Sequence, residues 1–251
     1  MAIDVTRVPL EDILELRDLH RAEMACQIVH DSLHRRGFTH MYRLDVDSEV
    51  VGYGTVVGFG DEPKETVDEF FVKLRHRASA RALFRAFLEA SGATRIQTQS
   101  NDVLLSLMLF DFAVDIRRER LLFEDAFTSD LRLPNATFRR LRPDEAMRLM
   151  GGKQVDRAGD WILEVGHEIV GAGGVLFHYN PPYGDVYMEV AEGQRRKGYG
   201  SFLVQELKRI CRDAGKIPAA RCDADNEASR ATLERAGMLP CGSIMTGTVG
   251  R

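Results

Sequence analysis

The feature that most limits how this chain can fold is an order of landmarks that occurs twice. VVGYGTVV (50–57) is echoed by IVGAGGVL (169–176). Both are apolar runs punctuated by glycine, the pattern of a buried strand. Each leads through a turn-rich loop, GFGDEPKE or HYNPPYG, into a further strand-like run, TVDEFFV (66–72) or DVYMEV (185–190). A basic loop and an amphipathic helix follow. They are RHRASARA and LFRAFLEASGA in the first copy, and QRRKGYG and SFLVQELKRICRDAG in the second. Counting from Val72 and Val190, Arg77 falls opposite Arg195, Ala80 opposite Gly198, and Ala82 opposite Gly200. Both helices close on a glycine, Gly92 or Gly215, as helices commonly do. Another strand follows, TRIQTQ (94–99) or AARCDA (219–224), and an asparagine, Asn101 or Asn226, opens a last helical segment.

Each copy therefore reads as strand, helix, antiparallel strands, long helix, crossing strand and final helix. That is an α/β fold of two tandem domains, each a mixed, mostly antiparallel sheet flanked by helices. The front ends match less closely. RVPLEDILELRDLH (7–20) is similar to FRRLRPDEAMRLM (138–150), but only the first copy has room for a second helix (Ala22–Arg36) before its strand. LRLPNATF (131–138), with a proline and little periodicity, marks the junction, so the domains are expected at 1–133 and 136–251.

Bulk properties remove several functions. The net charge of −4 lacks the cationic field of a general nucleic-acid binder. Four cysteines, Cys26, Cys211, Cys222 and Cys241, form no CxxC pair and no zinc-spaced cluster. No metal is expected, and the thiols read as reduced. The first residues carry charges where a leader would need an apolar run, and no stretch approaches the roughly 18 apolar residues of a membrane span. The expectation is a cytoplasmic monomer or homodimer with no membrane and no nucleic-acid partner.

The basic loop of the second copy, EGQRRKGYGSF (192–202), holds the chemistry. It is not a P-loop, since GxxxxGK[ST] is absent, and Gly198-Tyr-Gly200 has no third glycine for a dinucleotide fingerprint. What remains is Arg195-x-x-Gly198-x-Gly200 between a strand and a helix. A helix N-terminus offers unpaired N–H groups and a positive dipole end, and glycines let a pyrophosphate approach the backbone. With Val190 five residues before Arg195, and Asn226 followed by ASRATLERAGM, this pattern resembles the acetyl-CoA loop of the GNAT N-acetyltransferase family. The likeness covers residues 136–251 well and 1–133 as a degenerate copy.

The resemblance implies acetyl-CoA as cosubstrate and transfer of its acetyl group to a primary amine. It implies that Val190 pairs its backbone with the pantetheine arm where the family's fourth and fifth strands splay apart. Met188, on the same strand face, is counted with the cofactor contacts. N–H groups from Arg195 through Ser201 would hold the pyrophosphate, and Asn226 would contact the pantetheine. Arg196 and Lys197 either help neutralise phosphate or are solvated surface charges. Tyr199 covers the cofactor or packs.

In DVYMEV the side chains alternate, so Asp185, Tyr187 and Glu189 share one face. The family's general base is a carboxylate on this strand or water held there. That makes Glu189 the first candidate, with Tyr187 and Asp185 behind it. Where the family places an acid tyrosine on the last helix, this chain has Leu233. His178, Tyr179 and Tyr183 rim an acceptor pocket or form a turn, and Cys222 reads as a core residue. The first copy, with alanines at 80 and 82, is expected to hold no cofactor. The alternative to an enzyme is a catalytically silent acyl-CoA-binding module.

Overall fold

Runs of β-branched and aromatic residues become strands, and apolar residues spaced three and four apart become helices laid against them. The computed structural model describes residues 2–24, 31–59, 63–142, 160–177 and 181–250. The chain divides into two compact units. Unit 1 comprises Met1–Arg120 together with Gly242–Arg251, and unit 2 comprises Leu121–Cys241. The divisions thus fall at 120/121 and 241/242, whereas the sequence suggested one junction at 131–138. The difference comes from two long strands that the sequence reading did not foresee, β6 (Ala113–Asp125) and β12 (Met238–Val249). Each follows the last helix of its copy, and each begins in one unit and ends in the other.

Unit 1 begins with β1 (Ile3–Val8), α1 (Leu14–Glu23) and α2 (Asp31–Arg35). The second helix expected over 22–36 is therefore shorter: α1 takes residues to Glu23, α2 begins at Asp31, and 25–30 lie outside the described residues. Next come β2 (Thr39–Val46), β3 (Glu49–Val57) and β4 (Thr66–Val72), each antiparallel to its neighbour. Then α3 (Ala80–Ser91) leads to β5 (Arg95–Gln99) and α4 (Val103–Phe112). β5 runs parallel to β4 for two pairs, Thr66↔Arg95 and Val67↔Ile96, and pairs on its other side with residues 244–248 of β12. α3 buries Leu83, Phe84 and Phe87 against the sheet, with Phe84 edge-on to Phe70 at 4.7 Å.

The other face of β3 and β4 is unusually polar. Glu69 on β4 receives two hydrogen bonds from the buried Arg17 guanidinium (2.9 and 3.0 Å) and one from the Tyr53 hydroxyl (3.0 Å). His34 Nε2 lies 3.3 Å from the same carboxylate, and His20 bridges Tyr53 (2.7 Å) and Asp102 (3.3 Å). Burial alone would raise the Glu69 pKa, but Arg17 and His34 outweigh it and hold the group well below the usual carboxylate range.

Unit 2 contains β7 (Ala136–Arg140), β8 (Trp161–Val165), β9 (Glu168–Leu176) and β10 (Tyr183–Val190), successively antiparallel. α5 (Tyr199–Asp213), β11 (Ile217–Asp223) and α6 (Glu227–Arg235) follow. β11 is parallel to β10, and β6 borders β11, contributing Leu121 and Phe123 to the core. α5 buries Leu203, Val204, Leu207 and Cys211 on one face, each large apolar side chain contributing about 1.5–3 kcal/mol. Burial pushes the Cys211 thiol up to about 11.

Lys208 on α5 is buried as well. Its Nζ donates to the Phe127 carbonyl (2.9 Å) and the Ala236 carbonyl (2.7 Å) and lies 2.8 Å from Asp125. This ties the end of α6 to α5. No described helix is long and apolar enough to cross a membrane.

Candidate active site: a splayed strand pair and a left-handed loop in unit 2

β10 and β11 pair only at Tyr183↔Ile217, Gly184↔Pro218 and Asp185↔Ala219. Beyond Asp185 the two strands part, while β10 stays paired with β9 as far as Val190↔Gly171. One edge of β10, from Val186 onward, therefore lacks a strand partner, and such an edge can accept an extended ligand as an added strand. The splay opens into a cleft of about 610 Å³ between β10, the loop before α5, and α6.

The loop is built for anion contact. A short 3₁₀ turn (Glu192–Gln194) ends at Arg195, whose N–H donates to the Glu192 carbonyl and whose Nε donates to the Val190 carbonyl at 3.3 Å. Arg196 and Gly198 then adopt left-handed backbone angles, φ +63° and +84°. Alternating the backbone this way turns successive N–H groups towards one side, a concavity that suits an anion. The first N–H groups of α5, on Tyr199, Gly200 and Ser201, have no intrahelical acceptor and add the positive end of the helix dipole.

The two glycines act differently. A Cβ on Gly198 would meet nothing within 4 Å, so its requirement is the backbone angle. A Cβ on Gly200 would meet Thr232 Cγ2 at 3.1 Å and Met188 Cε at 3.4 Å, so its requirement is the close packing of α5 on α6 and β10.

Of the residues singled out for cofactor contact, Met188, Val190, Arg195, Arg196, Gly198, Tyr199, Gly200, Ser201 and Asn226 all line the cleft. Lys197 is not among the lining residues, and its Nζ donates to Gln194 Oε1 at 2.7 Å. Asn226 is the N-cap of α6, its Oδ1 accepting from the Ser229 N–H at 3.0 Å.

The three candidates for chemistry separate. Glu189 is exposed and lines the cleft. Asp185 is buried, with Arg221 Nη2 3.2 Å from its carboxylate, and Tyr187 lies across Gly174 of β9. Neither of these two lines the cleft. Leu233 is packed in the unit 2 core, so the last helix presents no side-chain acid from that position. Cys222 is buried, and burial raises its pKa, against any role as a thiolate. His178 and Tyr179 lie outside the described residues, and Tyr183 opens β10.

Sequence reasoning missed Gln194, Ser229, Thr232 and Arg235, all of which line the cleft. Ser229, Thr232 and Arg235 recur at three-residue spacing, so one face of the helix opened by Asn226 was the available signal.

Unit 1 repeats the geometry without the loop. Arg77 Nε donates to the Val72 carbonyl at 3.1 Å, the counterpart of Arg195 and Val190, and β4 continues past its last parallel pair with β5. Yet residues 74–79 form a 3₁₀ helix that runs straight into α3, with no left-handed residue. Its cations are engaged by carboxylates, Arg75 by Glu49 and Arg77 by Glu23. The helix cap also shifts by one: Asp102, not Asn101, receives the Leu105 N–H at 3.1 Å.

A strand splay, an anion-seating loop at a helix start and a capped last helix define an acyl-CoA-type transferase fold. Residues 127–238 match the acetyltransferase (GNAT) family, whose members are acyltransferases that use acetyl-CoA. That stretch of the chain is a GNAT domain. No curated protein matches the chain by sequence. Among solved structures, a GNAT-family acetyltransferase from Colwellia psychrerythraea is similar over 100% of both chains, with TM-score 0.77 and 13% identity. A tandem GNAT protein from the clavulanic acid biosynthesis pathway is similar over 100% of this chain and 99% of its own, with TM-score 0.62 and 14% identity. A GCN5-related N-acetyltransferase from Sphaerobacter thermophilus covers 99% and 96%, with TM-score 0.61 and 13% identity. At such identities the likeness is one of fold, and the fold of the whole chain is that of tandem GNAT proteins.

Proposed function

We propose that the protein is an N-acetyltransferase that moves the acetyl group of acetyl-CoA directly to a primary amine, using a single cofactor site in unit 2. The observation that carries this reading is the coincidence of the β10–β11 splay with the left-handed loop at Arg196 and Gly198 on one cleft. In this reading the unpartnered edge of β10 near Val190 binds the amide groups of the pantetheine arm. The loop N–H groups seat the pyrophosphate. The side-chain amide nitrogen of Asn226, whose oxygen is occupied by capping, is left to donate to the ligand.

Glu189, exposed at the cleft edge, takes a proton from the ammonium of the acceptor, directly or through water. The neutral amine then attacks the thioester carbonyl, its nitrogen passes its extra proton to water, and the tetrahedral intermediate collapses to the amide and the CoA thiolate. With Leu233 buried, that thiolate is protonated by solvent. Unit 1 lacks the left-handed loop, which supports its reading as a degenerate partner without a cofactor.

A silent acyl-CoA-binding module remains the second reading, favoured by Leu233 at the place of the family's acid. Thiol release from acetyl-CoA across a panel of amines, amino acids, antibiotics and peptides decides between them. Acceptor-dependent CoA release that Glu189→Gln reduces while cofactor binding persists is the expected result. Tight acetyl-CoA binding without release on any acceptor establishes the module instead.

A further inference from the structure

Outside the cleft, two basic side chains gather on one sheet face with no carboxylate partner among the described residues. Arg7 is on β1 and His40 on β2. The register pairs Arg7 with Tyr42, so His40 is its diagonal neighbour on the same sheet face. In an antiparallel pair such neighbours lie about 7–8 Å apart. Both line a cavity of about 400 Å³ whose other walls are Val8, Pro9, Thr39 and Met41. Burial most of all, and then the charges of Arg7 and Lys64, lower the His40 pKa.

Several basic groups of unit 1 are matched: Arg17 to Glu69, Arg43 to Asp45, Arg75 to Glu49, Arg77 to Glu23 and Arg81 to Asp111. Among the described residues, Arg7, His40 and Lys64 form no ion pair with any carboxylate. Asp4 lies on the opposite face of β1 and is engaged by Thr6, and Asp45 is held by Arg43. Asp61 and Glu62, which precede Lys64, lie outside the described residues.

We propose that Arg7 and His40, with Lys64 beside them, form a binding site for the phosphate monoester of a small, partly apolar molecule. The like charges of Arg7 and Lys64 disfavour a proton on His40, and an anion placed among these groups converts that repulsion into attraction. A dianion matches two permanent cations and an imidazole that takes up a proton as the ligand binds. The Arg7 guanidinium supplies the planar fork that phosphate oxygens accept in pairs. A phosphate group fills only part of the cavity, leaving the organic remainder against Pro9.

The test follows the His40 ring by NMR in the full chain, with the resonance assigned by its disappearance in His40→Gln. Phenyl phosphate, inorganic phosphate and benzoate are the probes. Phenyl phosphate is expected to shift the ring resonance saturably and to raise the His40 pKa, with inorganic phosphate weaker and benzoate weakest. Arg7→Gln, which breaks no side-chain hydrogen bond or ion pair among the described residues, is expected to weaken phenyl phosphate binding by about ten- to a hundredfold, the loss of a charge-assisted hydrogen bond. No saturable shift with any probe overturns the site. Benzoate binding as tightly as phenyl phosphate overturns the dianion, equal affinity for inorganic phosphate overturns the organic monoester, and unchanged binding in Arg7→Gln overturns the role of the fork.

Discussion

Gly198→Ala offers the sharpest test of how the loop works. Gly198 has φ +84° and ψ −2°, and an added Cβ would touch nothing within 4 Å. The substitution therefore adds backbone strain and no protein clash. Holding an L-residue in the left-handed region costs about 1–2 kcal/mol. If the loop relaxes to escape that cost, it loses the N–H array, so acetyl-CoA affinity should fall by about 5- to 30-fold. Calorimetric titration of both proteins with acetyl-CoA measures this directly.

Gly198→Asn separates the two explanations for the glycine. Asparagine tolerates left-handed angles better than alanine. If the backbone angle is what matters, the larger Asn variant binds acetyl-CoA more tightly than the Ala variant. Weaker binding by Asn than by Ala would mean that ligand bulk decides, and the conformational argument would be wrong.

Three further outcomes follow from other parts of the molecule. Glu189→Gln should slow acetyl transfer by about 10²–10⁴-fold, the usual range for a lost general base, with the acetyl-CoA dissociation constant nearly unchanged by calorimetry. Gly200→Ala should weaken cofactor binding by pushing on the Thr232 methyl at 3.1 Å, and Thr232→Ser in the same protein should restore much of it, a coupling that a double-mutant cycle reads. Glu69 has a folded-state pKa below its unfolded value, so its stabilisation is full above about pH 4.5 and is lost as pH falls through the folded pKa. Urea unfolding monitored from pH 7 down to 3 should show that loss, and Glu69→Gln should abolish it at a cost of about 3–5 kcal/mol at neutral pH.

The sequence was most legible where local pattern and fold agree. TVDEFFV became β4 at the residues expected, and the counting from Val72 and Val190 was matched by the paired Arg77 and Arg195 contacts. Glycine spacing located the left-handed loop that lines the cleft, but the two glycines could not be told apart, because backbone angle and packing distance are properties of the folded chain. The Asn101–Asn226 equivalence failed for a related reason. Asp and Asn cap helices about equally well, so a shift to Asp102 costs little and leaves no trace in the pattern.

Asp185, Tyr187 and Glu189 share a face by alternation, yet only Glu189 reaches the cleft. Arg221, on the neighbouring strand β11, claims Asp185. β6 and β12 escaped notice because the ends of a copy look alike whether its last strand stays home or joins the other unit. Nothing local in AVDIRRERLLFED or MLPCGSIMTGTV encodes the partner.

The placement of residues 242–251 in unit 1 bears on how the protein is made. A nascent chain emerging from the ribosome normally folds its first domain while the second is still being translated. Here the first unit waits for residues 242–251, which are made only after the whole of unit 2. At about 5–20 residues per second, completing it takes on the order of ten seconds after residue 120 is added. Until then β5 offers an open edge to any passing strand. Slowing translation or deleting residues 242–251 should therefore expose the first half of the polypeptide to chaperones and proteases, although its own coding sequence is intact.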